Sequence, residues 1–151
     1  MKELANMPLV FSVRDLKKTK NKDLPIQQII ENFMQEVIKQ GNFETAYLFS
    51  QDGLPIAQQY SDHSTRMRTV EISVMMNKVQ KFMKDLGELS RIKEIVVEDE
   101  DKKKIVFRFL PFFDQIAILI IVVPPRKAYR GFTNRLAKLI VALGKNNNGN
   151  V

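Results

Sequence analysis

Eight consecutive apolar residues, Ile116 to Val123, followed at once by Pro124-Pro125, constrain this chain more than any other stretch. A helix that crosses a bilayer needs about 20 apolar residues, so the run is too short to span a membrane. Successive side chains of a strand point to opposite faces of its sheet, and here both parities are apolar. Such a strand must be covered on both faces and lie in the middle of its sheet. The rest of the chain has to supply its neighbouring strands and a layer of helix on each side.

Helical periodicity begins after Asp23. Ile26, Ile29, Ile30, Phe33, Met34, Val37 and Ile38 fall on one stripe, the pattern of a helix with a single buried face. Asp23 is placed to cap it, Pro25 fits its first turn, and Gly41 is suited to a left-handed end. Two strand-like runs follow, Thr45 to Ser50 and Pro55 to Tyr60, separated by Gln51-Asp52-Gly53-Leu54. Asp-Gly supplies the positive φ angles of a tight hairpin.

A second helix is expected from about Ser64 to Leu86, ended by Gly87. Ile72, Met75, Met76, Val79, Phe82, Met83 and Leu86 form a broad face that should lie on the sheet. Met67, Val70 and Val74 sit roughly 140° around the helix from it, using 3.6 residues per turn. A second apolar patch of this kind is either covered by neighbouring loops or is a surface for a partner. A third strand, Ile92 to Asp99, leads through a charged turn within Glu98 to Lys104 into a fourth, Lys104 to Leu110. Pro111 to Asp114 should then turn into the central strand. A last helix carries Tyr129, Phe132, Leu136, Leu139, Ile140 and Leu143 on one side, most of its basic residues on the other, and Gly144 at its end.

The order helix, hairpin, helix, three-stranded meander, helix (α-β-β-α-β-β-β-α) predicts an α+β domain with one five-stranded antiparallel sheet flanked by three helices. With 151 residues, of which 44% are hydrophobic, the chain has material for one such core and not for two. The expected division is a basic extension over 1–22, a domain over 23–144 and an Asn-rich tail over 145–151. The first residues lack the apolar segment of a secretory signal, which points to a cytoplasmic protein.

Several chemistries are closed off. Without cysteine there are no disulfides, thiolate zinc sites or thiol nucleophiles. No G-x-x-x-x-G-K-[ST] loop, G-x-G-x-x-G fingerprint or H-E-x-x-H pair occurs, so tight nucleotide binding and zinc hydrolysis have no recognisable machinery. His63, the only histidine, sits in a connection and reads as a solvated or capping residue. Glu98 to Asp101 reads as a solvated turn rather than a metal cluster. No cofactor, metal or catalytic residue is expected. The net charge of +7 is uneven: Arg126, Lys127, Arg130 and Lys138 lie in a stretch with no Asp or Glu, the candidate contact for an anionic partner.

Ala46-Tyr47-Leu48-Phe49-Ser50-Gln51-Asp52-Gly53-Leu54-Pro55-Ile56-Ala57 resembles the first hairpin of the roadblock family, named after a dynein light chain and related to longin and profilin-like folds. Val122-Val123-Pro124-Pro125 leading into Gly131 resembles the family's last strand-to-helix junction, and the likeness runs from about Leu24 to Leu143. It implies a non-enzymatic binding platform, a homodimer or a heterodimer with a related roadblock protein, in which the second helices pack together and third strands join the two sheets. By position, Met67, Val70, Val74, Ile95 and Val97 would then lie at the dimer or partner contact. It also implies partners such as Ras-like small GTPases, lysosomal signalling scaffolds and dynein intermediate chains, with regulation or scaffolding of a small GTPase as the leading role. The alternatives are a dynein-type motor light chain, or a basic adaptor on an anionic membrane surface or nucleic acid. Nucleic acid is the weaker of these, because the basic face carries no aromatic residue for stacking. Residues 1–22 lie outside the resemblance, and a strongly basic last helix is not a hallmark of the family.

Overall fold

The computed structural model describes residues 24–50, 52–61, 69–87 and 92–146. In chain order its elements are α1 (Ile26–Gly41), β1 (Thr45–Phe49), β2 (Pro55–Tyr60), α2 (Thr69–Leu86), β3 (Glu94–Glu98), β4 (Lys104–Phe112), β5 (Gln115–Val123) and α3 (Arg130–Asn146). All strand pairs are antiparallel, and the sheet order is β2-β1-β5-β4-β3. The apolar run thus forms the middle strand, as its two-sided pattern requires.

The faces of β5 sort the core into two layers. Ala117, Leu119, Ile121 and Val123 point to the side where α1 and α3 pack, with Phe33, Met34, Val37, Leu136 and Ile140 among the residues burying them. On that side the rings of Phe43 and Phe132 meet edge to face, 5.5 Å between centroids. Ile118 and Ile120 point to the other side, joining Tyr47, Phe49 and Phe107 beneath Met75 and Val79 of α2. Two helices therefore cover one face and a single helix the other.

Element ends depart from expectation in physically readable ways. Pro25 is the residue flanking α1, and it offers no side-chain cap, while Asp23 falls outside the described residues. The left-handed end of α1 is taken by Asn42 (φ 54°, ψ 42°) and not by Gly41, which stays helical and buried. A Cβ on Gly41 would come within 2.7 Å of the Phe43 ring, so that glycine serves packing. Gly144 likewise does not end α3, which runs on to Asn146; the expected extension over 1–22 and residues 147–151 of the expected tail lie outside the described residues. A Cβ on Gly144 would meet Phe112 Cα at 3.1 Å and Phe113 N at 3.2 Å: the glycine lets α3 press against the β4–β5 turn. β4 continues through Pro111 to Phe112, and the turn contracts to Phe113 and Asp114, both with positive φ (50° and 63°). β3 is shorter than expected, and Gly87, with φ +42°, follows the end of α2 as anticipated.

Candidate partner-binding surface

β3 is an outer strand of the sheet, and its hydrogen-bond phase is fixed by its ends. Phe109 N–H donates to Lys93 O (3.1 Å), and Asp99 N–H donates to Lys103 O (2.9 Å). In an antiparallel pair bonded positions alternate, so Ile95 and Val97 also bond to β4 through Phe107 and Ile105. The N–H and C=O groups of Glu94, Val96 and Glu98 consequently project away from β4, at the edge of the sheet. No described strand follows β3 there.

The side chains around this edge are apolar where solvent should make them polar. Val96 is 40% exposed on the face of α1 and α3, and Val97 is 52% exposed on the face of α2. Ile95 is half-buried against the layer beneath α2. Phe82, placed by periodicity on the sheet-facing side of α2, is instead 57% exposed. Its helix phase matches that of Met75 and Val79, which pack on the layer beneath α2. The two acidic residues of the edge are neutralised from β4. Arg108 donates to Glu94 Oε1 (2.9 Å), and Lys104 Nζ lies 3.4 Å from Glu98. The Arg108 guanidinium also donates to Asn134 Oδ1, tying β3 to α3.

The opposite edge is finished differently. The Ser61 N–H bond to Glu44 O (2.8 Å) sets the phase so that Gln58 N–H points outward from β2. Glu31 of α1 accepts that N–H at 2.9 Å, and α1 packs along the strand. One edge of the sheet is thus closed by its own helix, and among the described residues no strand pairs with the other.

Of the residues singled out from sequence, Ile95 and Val97 stand together on β3. Val70 and Val74 fall in α2, where their backbone alone is described, and Met67 and His63 lie outside the described residues. Val96 and Phe82 were not foreseen as surface, because period reports a side chain's face but not whether a neighbour covers it. Arg126, Lys127, Arg130 and Lys138 are all exposed, the first two ahead of α3 and the others two turns apart on it. α3 itself packs on the face of the sheet opposite α2. Glu98 to Lys104 forms a tight turn with Lys102 at φ 74°, and no group of three metal-binding side chains occurs among the described residues. An open depression of about 830 Å³ lies beside the β4–β5 turn, lined by Met83, Ile92, Phe109, Pro111 and Ile116 with Lys93 and Lys145 at hand. Among the described residues no helix is long and apolar enough to cross a membrane.

No protein-family model matches the chain, and no curated protein matches it. Solved structures do. The gliding protein MglB from Thermus thermophilus superposes with a TM-score of 0.65 at 14% identity, over 80% of this chain and 91% of that one. A structure described as MglB with tetrameric arrangement gives 0.66 at 12%, over 80% and 90%. The Roadblock/LC7 domain from Streptomyces avermitilis gives 0.53 at 13%, over 75% and 92%. Such identities speak for the fold, and the element order and sheet topology agree with it: this chain has the fold of the roadblock domain.

Proposed function

We propose that the chain is a dimeric binding platform of the cytoplasm that regulates or scaffolds a Ras-like small GTPase, without chemistry of its own. The observation that carries the reading is the β3 edge, where the backbone groups of Glu94, Val96 and Glu98 face outward beside exposed Val97, while α2 on that face of the sheet exposes Phe82. Unpaired edges invite strand addition, and native proteins usually blunt them with charge, proline or a covering element. Here the two carboxylates are already neutralised and no proline intervenes. A second copy can join antiparallel about Val96, with the α2 surfaces meeting beside the seam. Support for association comes also from the MglB structure described as tetrameric, and the small-GTPase role follows the roadblock resemblance.

Two proline substitutions test the dimer. Val96→Pro removes an N–H that points away from β4, so the monomer loses no internal bond and an edge strand tolerates it. The expected result is a folded protein at half the mass of the wild type by light scattering. Val97→Pro removes the bond to Ile105 and should destabilise β3 itself. A wild type that is monomeric at micromolar concentration, or a Val96→Pro variant that stays dimeric, would overturn the reading. For the partner, titrating purified Ras-like GTPases of the same organism in their GDP and GTP-analogue states should show binding that depends on the nucleotide. No binding in either state would remove the GTPase assignment.

A further inference from the structure

We propose that the α3 helices of the dimer, on the face of the sheet opposite α2, form a docking surface for an anionic lipid bilayer; its two-copy geometry rests on the β3 pairing proposed above. Two copies of one strand paired antiparallel in a sheet are related by a two-fold axis normal to that sheet. The operation leaves each face on its own side. Both α1/α3 layers therefore lie on one face of the joined sheet, and both α2 helices on the other. α3 packs on β4, the strand next to β3, so the two α3 helices flank the axis. Three strand spacings of about 4.8 Å separate the two β4 strands, placing the helices on the order of 15 Å apart.

Each α3 brings positive charge to that face. At 100° per residue Arg130, Lys138 and Lys145 fall within about 80° of one another, and all three are exposed. Arg126 and Lys127, also exposed, precede the helix, and no acidic residue occurs after Asp114 to interrupt the stripe. The acidic residues between the two helices, Glu94 and Glu98, are held by Arg108 and Lys104. The result is two basic stripes on one side of a dimer, without a described exposed aromatic ring among them. A plane of phosphate headgroups meets both stripes together, so the second contact is intramolecular once the first has formed. A single acidic helix would meet one stripe, and a nucleic acid strand would find no ring to stack on. Each Lys or Arg near an anionic surface strengthens attachment roughly five-fold.

The test uses the full chain and sedimentation with phosphatidylcholine vesicles, with and without phosphatidylserine. The expected result is binding to the phosphatidylserine vesicles at low salt and release near roughly 1 M salt, where the Debye length is about 3 Å. Arg126→Glu, Arg130→Glu and Lys138→Glu together should lower binding by more than about a hundred-fold, with dimer mass and melting temperature unchanged. The charge-conserving set Arg126→Lys, Arg130→Lys and Lys138→Arg should retain it. Equal binding to pure phosphatidylcholine, wild-type binding by the Glu variant, or tighter binding to duplex DNA at the same salt would overturn the proposal. A dimer that ignores both vesicles overturns this proposal alone. A monomer that binds by charge overturns the dimer and the paired-helix geometry with it.

Discussion

Gly144 shows how a single residue is judged by what surrounds it and not by its type. In an exposed helix, replacing glycine by alanine gains about 1 kcal/mol of helix propensity. At this position the new Cβ would come 3.0 Å from the Phe112 ring and 3.1–3.2 Å from backbone of the β4–β5 turn. Overpacking costs about 1–3 kcal/mol, and backbone yields less readily than a flexible side chain. Gly144→Ala is therefore expected to lower the melting temperature despite its better propensity; a rise in thermal unfolding would show that the turn gives way freely. The same reasoning explains why glycine was a poor guide to helix ends in this sequence. Gly41 and Gly144 are both glycine because a neighbouring phenylalanine occupies the space of a side chain, and Asn42, which tolerates the left-handed region, closes α1 instead.

At the scale of elements, Arg108 fastens β3 to the rest of the domain. It is buried, bonded to Glu94 of β3 and to Asn134 of α3, so it spans three elements at once. Removing its carboxylate partner leaves a desolvated cation, whereas removing both charges leaves an apolar contact. Glu94→Ala is expected to destabilise by about 1–3 kcal/mol, discounted because Glu94 keeps some contact with water. The double variant Arg108→Met/Glu94→Leu should recover most of that loss in chemical denaturation. No recovery would show that the Asn134 bond, and not the ion pair, matters most. The order and type of elements were legible because Ile116–Val123 carries a two-sided pattern and the helices a one-sided one. The surface was legible only in part. Ile95 and Val97 alternate like any half-buried strand, and nothing in their spacing says that β3 is outermost. Phe82 shares its phase with Met75 and Val79, yet it is exposed where they are partly buried. Coverage is a property of tertiary arrangement, which period does not record.

For the molecule as a whole, the contrast between the two sheet edges decides more than whether copies meet. A subunit with two receptive edges would add neighbours without limit, as fibrils do, while one receptive edge permits a single self-complementary contact. The carboxylate of Glu31 on Gln58 N–H and the helix lying along β2 make the second edge unreceptive. Glu31→Ala is expected to cost about 1–2 kcal/mol through the lost charge-assisted bond. At high concentration it should also produce species larger than the dimer in analytical ultracentrifugation, and a strictly dimeric variant would show that α1 alone seals the edge. Under the proposed β3 pairing, strand addition stops when two sheets of five strands have joined. In that arrangement Glu31 would be a chain terminator, setting the size of the assembly from the edge opposite the one that pairs.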